Sequence, residues 1–424
     1  MDGRLNRRMM GVLNARLPEA RLDRIHDPRR ESSTKWNIGS ILKSVVFAMV
    51  AGSKSLGDLE SLTKEMSSAS RRKMGLRGRL PDTTVRDLIV KLDQEQIRKS
   101  IYRQVHAAHR RKAISCDDLP FGVVAMDGKM TAVDDADGEY VQWRTGTKGG
   151  YGLVRTVTST LISSNSKVCL DASPIRPGDN EQTHYEEALD DLLDVYGALN
   201  LFKLVTYDAG ACSQWNAWFT RTRGVHYLMR VKEKSQPKLS AHTKSVTDSA
   251  PAEIHEEIVS GRLVRRKIYL SEEAAVWHRR CELRTVVRIV FECFDRNGGL
   301  TETQTRLYAS SLGKDALTPK QWITVTRNHW NVENNCHHTF DAVFREDDKP
   351  WIRANSTGTL AIILLRRVAY NILTMFRSVT LRAKAKRLSP WRTLCRWFYN
   401  ALISTTEKQL KDMRVRKPPE IQLM

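Results

Sequence analysis

The spacing of apolar residues divides the chain into a helical part, a strand-rich part and a second helical part. Between residues 36 and 110, apolar positions such as Ile38, Ile41, Leu42 and Val45 recur at helical spacing. Asp82 follows Pro81 at the start of another such stretch and has the residue type of a helix cap. The pattern therefore predicts a set of helices before residue 115.

From residue 121 the period changes to that of short buried strands. Strand-like runs cover residues 123–126, 153–162, 167–172, 201–207 and 226–231, and helical patterns cover residues 181–196 and 216–222. Strands that alternate with helices in this way are typical of α/β layer architectures. We therefore predict an α/β fold for this part of the chain.

Two further stretches complete the pattern. Residues 252–312 are strand-like with a hairpin turn at 295–299, which predicts an all-β insertion. After Pro319 the pattern is helical again, with one helix predicted over 321–344 and another over 354–376. The predicted segments are a basic N-terminal arm (1–35), a helical DNA-binding or packing domain (36–115), the first part of an α/β core (116–235), a β-rich insertion (236–318), the second part of the core (319–376) and a basic C-terminal tail (377–424).

The charge of the chain indicates a polyanionic partner. Lys and Arg total 69 against 48 Asp and Glu, which gives a net charge of +21. Such an excess favours nucleic acid, because cations that neutralise phosphates release condensed counterions. The apolar runs are short or interrupted by charge, and the N-terminus lacks the apolar core of a signal peptide. We therefore expect no membrane span and a cytoplasmic protein.

Cysteine usage argues against disulfides and zinc. The seven cysteines are scattered and form no Cys-x-x-Cys pair, as in reduced cytosolic proteins. Cys336, His337 and His338 are adjacent, but neighbouring residues on a helix point in different directions, so we do not expect a zinc site there.

Three acidic residues are candidates for metal-dependent chemistry. Asp127 and Asp208 each follow a buried strand run, and Gly128 and Gly210 permit tight turns beside them. Taken singly, each aspartate is also an ordinary turn signal. Glu333, on the predicted 321–344 helix, adds a third carboxylate. Three such oxygen ligands fit Mg²⁺ or Mn²⁺, and two ions about 3.5–4 Å apart would serve in-line phosphoryl transfer.

The residues around these acids resemble a known family. The blocks 327–334 and 338–347 are similar to the glutamate region of bacterial insertion-sequence transposases of the DDE type, and most similar to the H-repeat-associated (Rhs-linked) branch. The blocks 125–129, 180–181 and 207–209 match that branch around its first acid, its Asn-Glu pair and its second acid, and residues 80–85 resemble its helical N-terminal domain. The Tyr-x-x-Arg-x-x-x-Glu-x-x-x-x-x-x-Lys signature of neighbouring branches is absent, since Thr326, His329 and Phe340 stand at its other positions, and His338 stands where tryptophan is usual.

The resemblance implies an RNase H-like catalytic core interrupted by the β-rich insertion. It also implies an enzyme in which Asp127, Asp208 and Glu333 hold two Mg²⁺ or Mn²⁺ ions, with Asp127 bridging both. The ions would serve first cleavage of the element's ends and then attack of the freed 3′-hydroxyl on target DNA. Candidate DNA contacts are Lys129, Arg327, His329, Asn334, Arg345 and Lys349; each has an alternative as a packing or solvated residue.

The implied partners are double-stranded DNA, as terminal inverted repeats and target, and further copies of the chain in a dimer or larger synaptic complex. The implied location is the bacterial cytoplasm, at the nucleoid. Two other functions stay open at this point: a metal-dependent nuclease without strand transfer, and a catalytically idle DNA-binding protein derived from a transposase.

Overall fold

The computed structural model describes residues 3–411, except residues 31–33, 117, 135–137, 147–148, 248–249, 274–275, 331 and 382. The helices are α1 (Gly3–Arg16), α2 (Ile38–Val50), α3 (Leu56–Glu65), α4 (Ser68–Met74), α5 (Asp82–Ile89), α6 (Gln94–Arg110), α7 (Tyr185–Tyr196), α8 (Gln214–Thr222), α9 (Pro237–Val246), α10 (Pro319–His329), α11 (His338–Ala342), α12 (Ser356–Met375), α13 (Lys384–Arg387), α14 (Trp391–Ser404) and α15 (Glu407–Lys411). The strands are β1 (Val123–Val133), β2 (Val141–Gly146), β3 (Gly149–Leu161), β4 (Cys169–Pro174), β5 (Leu204–Tyr207), β6 (His226–Val231), β7 (Glu253–Val259), β8 (Arg262–Ser271), β9 (Thr285–Phe294) and β10 (Leu300–Ser310).

A mixed sheet forms the centre of the molecule. Its strand order is β2-β3-β1-β5-β6-β10-β9-β8-β7, and β4 pairs with β3. β1 runs parallel to β5 and β5 parallel to β6, whereas β3 runs antiparallel to β1. Apolar side chains lie on both faces of these central strands, because helices cover the sheet on both sides. The α/β class predicted from the sequence is confirmed.

The two faces of the sheet bury different sets of residues. Val124 and Met126 of β1 belong to the large core that also contains residues of α6, α7 and α12. Val123 and Ala125 belong to a smaller core with Trp322 of α10. Since successive side chains of a strand point to opposite faces, α10 covers one face, and α6 and α7 pack on the opposite one.

The predicted N-terminal arm is not a free arm in the structure. Its first part is helix α1, which buries Met9, Met10 and Leu13, and the Asn6 Nδ2 amide donates to Ser404 Oγ at 2.8 Å. Ser404 ends α14, so the described part of the predicted C-terminal tail packs against α1; residues 412–424 of that tail lie outside the described residues. The many arginines near the N-terminus obscured the helical spacing of its apolar residues.

The strands of the β-rich insertion are continuous with the central sheet. Its last strand, β10, pairs antiparallel with β6, so β7–β10 extend that sheet. A helix, α9, precedes these strands. The sequence did not predict which strand the insertion pairs with, because strand periodicity does not identify the partner strand.

Helix α12 is the central helix of the large core. Its residues from Leu360 to Leu365 are at most 1% exposed, and Asn355 caps it by accepting from the Gly358 N–H. The stretch Ser356–Thr380 is long and apolar enough to cross a membrane, contrary to our expectation that no run would be, but its most apolar part is entirely buried within the fold. Burial of this kind is typical of a core helix.

Candidate active site

Asp127 and Asp208 lie side by side at the end of the parallel part of the sheet. Met126 and Tyr207 are the last residues through which β1 and β5 pair with each other, and each is followed directly by one of the aspartates. The sequence predicted that the first strand ends at Met126. In the structure β1 continues to Val133, paired with β3. Both side chains fall on the α10 face by strand alternation, so the register brings these two carboxylates together.

Glu333 reaches this site from a π-helical turn. Helix α10 begins with a capping box between Thr318 and Gln321 and ends at His329. Residues Val332–His337 then form a π-helical turn before α11, in place of the single helix predicted over 321–344. Val332 is fully buried and anchors the turn, whereas the Glu333 side chain is exposed. Single π turns inside helices are frequent at functional sites.

The neighbouring carboxylates raise the pKa values of Asp127 and Glu333. Burial, followed by the Asp208 carboxylate, raises the pKa of Asp127 to about 7. Burial and then the charges of Asp127 and Asp208 raise the pKa of Glu333, and Arg230 and Arg306 oppose that rise. These shifts require that the carboxylates be close enough to repel one another. The structure thus brings together all three acids that the sequence selected.

A fourth acid, Glu181, was not selected as a site residue. It lies in the turn between β4 and α7, and after burial the charges of Asp127 and Asp208 are the largest causes that raise its pKa. The only sequence signal was the Asn180-Glu181 pair among the matching blocks. The sequence placed Glu181 at the start of the helix predicted over 181–196, but that helix begins at Tyr185. The turn that brings Glu181 to the two aspartates was therefore not predicted.

Two histidines beside the acids are buried. His337 Nδ1 lies 3.3 Å from Asp127 Oδ2, and burial lowers the pKa of His337 to about 3. His329 Nδ1 hydrogen-bonds Thr206 Oγ1 at 2.9 Å, and burial lowers the pKa of His329 to about 4. Both imidazoles are therefore neutral near pH 7. His329, a predicted DNA contact, is enclosed by protein, which argues against that role.

Lys129 is likewise enclosed, although the sequence selected it as a DNA contact. Its Nζ lies 2.7 Å from Asp341 Oδ1 and 2.9 Å from Asp347 Oδ1, and its side chain is 7% exposed. Burial alone would lower the pKa of Lys129, but nearby carboxylates, Glu346 and Asp341 foremost, raise it. The ammonium is thus held by the segment that follows Glu333, and we assign it a structural role.

Three of the other predicted DNA contacts, Arg327, Arg345 and Lys349, have side chains that reach the surface. Arg327 pairs with Glu257 of β7, with Nη2 3.0 Å from Oε1. Arg345 pairs with the exposed Asp348, and Lys349 is exposed. The side chain of Asn334 lies outside the described residues.

An arginine-rich cavity that the sequence did not predict adjoins Glu333. The guanidinium groups of Arg230 and Arg306 lie 5.3 and 4.6 Å from the centre of the Trp330 ring. A cavity of about 440 Å³ is lined by Arg266, Phe291, Arg306, Thr324, Arg327, Asn328 and Trp330. Strands β6, β8, β9 and β10 contribute four of the residues in this arrangement, so only the folded sheet brings them beside α10.

The donor set fits a hard divalent cation. Carboxylate oxygens are the ligands that Mg²⁺ and Mn²⁺ prefer, and a cation would relieve the mutual repulsion that raises the pKa values of Asp127, Glu181 and Glu333. Within the described residues, however, no three acidic, histidine or cysteine side chains are already placed to hold one ion. The acids therefore converge without closing a ligand shell.

Comparison with known proteins decides the family. A family model described as "Transposase DDE domain" matches residues 119–372, which is more than half of the chain. The chain belongs to the DDE transposase family. Two proteins of Escherichia coli K12, putative protein YbfL and the H repeat-associated putative transposase YhhI, are each 24% identical to this DDE transposase over 367 residues, or 82% of its chain and 88% of theirs. The resemblance to the H-repeat-associated branch is thereby confirmed.

A solved structure is similar at a much lower level. The similar structure is a cryo-EM structure of the piggyBac transposase synaptic complex with hairpin DNA. The superposition covers 95% of the present chain and 81% of the piggyBac chain, at 12% identity and a TM-score of 0.43. Likeness of this degree adds no argument about the site. The matched family segment contains all four acids, Asp127, Glu181, Asp208 and Glu333.

Proposed function

We propose that this protein is the transposase of a bacterial insertion sequence, which cuts the DNA at the element's ends and joins those ends to target DNA. The convergence of Asp127, Asp208 and Glu333, within a segment that matches a transposase DDE domain, carries the proposal. The proposed location is the bacterial cytoplasm at the nucleoid, with DNA ends, target DNA and further copies of the chain as partners.

The proposed core is RNase H-like. Its support is the strand order β4-β3-β1-β5-β6, in which β1, β5 and β6 are parallel and β3 is antiparallel. In this core the carboxylates lie where parallel strands lose their partners, a usual place for catalytic groups in α/β sheets. The strands β7–β10 extend the same sheet and place arginines beside Glu333.

In the proposed mechanism, Asp127, Asp208 and Glu333 would hold divalent cations at the scissile phosphate. When bound, such cations would supply Lewis-acid stabilisation of the reacting oxygens. Asp127 must be ionised to bind them, and the neutral His337 orients its Oδ2 from 3.3 Å. Arg230 and Arg306, whose charges act on Glu333, are placed to contact DNA phosphates beside it.

The test is cleavage and strand transfer on a plasmid that carries the gene's native flanking DNA, with Mg²⁺ or Mn²⁺. Asp127→Ala, Asp208→Ala and Glu333→Gln are expected to lose at least roughly a hundredfold in rate, as removal of a preorganised charge-stabilising group does, while still binding DNA. Asp190→Asn, which removes an exposed acid paired with Arg223, is the matched control and should keep full activity.

Each outcome separates the alternatives. Cleavage without joining by the wild-type protein would identify a nuclease. Equal behaviour of the wild-type protein and the three variants would exclude these acids as the active site and favour a DNA-binding protein without catalytic function.

A further inference from the structure

Glu181 approaches the active site from the face of the sheet opposite Glu333. Asp127 and Asp208 point toward the α10 face, whereas Glu181 precedes α7, whose buried residues belong to the core on the other face. Gly128 follows Asp127 in β1, so by strand alternation it faces the side of the sheet from which Glu181 approaches. A methyl group built on Gly128 would overlap Oε1 and Cδ of Glu181. The carboxylate therefore occupies the space that a side chain at position 128 would fill.

The second oxygen of Glu181 is directed toward the strand end that carries Asp208. Its Oε2 lies 4.0 Å from the position that a Cβ atom on Gly210 would occupy, and Asp208 Oδ1 lies 2.9 Å from the same position. The Glu181 carboxylate thus lies between the backbone of Gly128 and the turn that follows Asp208. Glycine in a strand often marks such a close approach.

The turn that carries Glu181 is ordered by its own hydrogen bonds. Asn180 Oδ1 accepts from the backbone N–H groups of Gln182, at 2.8 Å, and Thr183, at 3.1 Å. The Asn180 carbonyl oxygen accepts from the His184 N–H at 2.9 Å. These bonds fix the backbone on both sides of Glu181, so its carboxylate is held at the site by a preformed turn.

An unpaired hydroxyl points to a ligand at the same place. Tyr207 is 1% exposed, and its hydroxyl makes no hydrogen bond within the described residues. It lies near the acids, because Tyr207 immediately precedes Asp208 and pairs with Met126, the residue before Asp127. A buried hydroxyl without a partner is costly, and a cation-bound water or a reoriented Glu181 carboxylate would supply the missing bond.

We propose that Glu181 is a fourth carboxylate ligand of the divalent-cation site. It closes the ligand shell from the α7 side, which Asp127, Asp208 and Glu333 leave open. Gly128 and Gly210 are the residues that permit its approach, and Asn180 holds the turn. This inference rests on the proposed function, because it assigns Glu181 to the site that performs it.

The test measures Mn²⁺ binding to the full-length protein without DNA, by electron paramagnetic resonance of free Mn²⁺. Glu181→Gln is expected to weaken the affinity by at least about tenfold, the lower end of the effect reported when a partner of a metal ligand is lost. Glu187→Gln, on α7 with a 57% exposed side chain, removes the same charge and should leave the affinity unchanged. Equal melting temperatures of the variants and the wild-type protein would show that folding is intact.

Gly128→Ala provides an independent arm. Its methyl group should displace the Glu181 carboxylate and weaken Mn²⁺ binding by itself. The double variant Gly128→Ala/Glu181→Gln should then bind no more weakly than Gly128→Ala alone, because both changes remove the same ligand. Full additivity of the two effects would overturn the proposed contact.

Asp127→Asn separates this inference from the proposed function. If Asp127→Asn and Glu181→Gln both weaken Mn²⁺ binding, the four-carboxylate site is supported. If only Asp127→Asn weakens it, the cation site stands and Glu181 is not a ligand. If neither variant weakens it, the cation site itself is misplaced, and both proposals fail.

Discussion

His329 is completely enclosed, and this makes its protonation a measurable property of the folded state. Burial lowers its folded pKa to about 4 from the usual 6.5. At a pH between these two pKa values, His329 takes up a proton in the unfolded chain but not in the folded protein. The stability that depends on neutral His329 is therefore fully present above about pH 6.5 and is lost as the pH falls toward 4. From the two pKa values, the loss between pH 7 and pH 5 is roughly 2 kcal/mol.

His329→Asn should remove that part of the pH dependence while keeping a polar atom near the position of Nδ1. The measurement is the free energy of unfolding of both proteins at pH 7 and pH 5. His338→Asn, at an exposed position on α11, is the control and should follow the wild-type protein. An unchanged pH dependence in His329→Asn would contradict the buried, neutral state.

The same residue corrects the DNA contact expected from the sequence. A neutral, enclosed imidazole neutralises no phosphate and releases no counterion. The sequence placed His329 four residues before Glu333 but could not distinguish a buried residue of α10 from an exposed one, because its partner Thr206 lies on β5. Lys129 illustrates the same limit, since its partners Asp341 and Asp347 are more than 200 positions away.

At the level of elements, local patterns predicted the strands that carry the aspartates but not the segment that carries the glutamate. Runs of apolar residues mark the ends of β5 and of the paired part of β1. The π-helical turn Val332–His337 was missed, because the apolar positions Val332, Cys336 and Phe340 are spaced as in an ordinary helix. What changes the hydrogen-bond pattern is the packing of this segment against the sheet and α12, which is tertiary information.

A buried ion cluster fixes the chain after Glu333 against α12. Glu346, Arg366 and Arg367 are all fully buried, with Arg367 Nη1 2.5 Å from Glu346 Oε2 and Arg366 Nη1 3.6 Å from the same atom. The Arg367 guanidinium also lies 3.7 Å from the centre of the Phe340 ring of α11. This cluster holds α11, and with it the end of the π-helical turn, in a defined position.

Glu346→Gln should therefore destabilise the protein strongly. It leaves two buried guanidinium groups without a counter-charge, and breaking a buried ion pair in this way costs about 3–5 kcal/mol. Chemical denaturation of the wild-type and variant proteins measures this loss. Asp348 lies two residues after Glu346 and is the exposed partner of Arg345. The control Asp348→Asn should therefore shift the melting temperature by no more than about one degree. A Glu346→Gln protein as stable as wild type would show that the cluster is not what fixes this segment.

At the scale of the whole molecule, α14 and the loop after α2 place positive charge beside the segment that follows Glu333. Two adjoining cavities, of about 380 and 330 Å³, lie between the loop after α2, α14 and the segment that follows Glu333. Lys54, Arg392 and Arg396 line them together with Asp341, Ala342 and Val343. We call the surface formed by Lys54, Arg392 and Arg396 the basic groove. Since α14 packs on α1, the described part of the C-terminal segment presents Arg392 and Arg396 from a packed helix.

The basic groove should lie on the path of bound DNA, whereas the opposite end of the sheet should not. Lys203 lies at the amino end of β5, where its N–H donates to the Gly122 carbonyl oxygen at 2.9 Å. Arg110 and Lys112, at the end of α6, are exposed near the turn between β3 and β4, where Ser166 Oγ donates to the Ala113 carbonyl oxygen. These three cations form a matched control set, remote from the strand ends that carry the acids.

Replacing Lys54, Arg392 and Arg396 together by glutamine should weaken DNA binding and reduce its salt dependence. Each phosphate contact contributes about 0.9 to the slope of log K against log salt concentration, so the slope should fall in magnitude by up to about 2.7. Replacing Arg110, Lys112 and Lys203 by glutamine changes the net charge of +21 by the same amount but should leave the slope unaltered. Affinity titrations of both triple variants over a range of salt concentrations test this difference. Equal losses in the two proteins would mean that DNA responds to the overall charge and not to a defined path past Glu333.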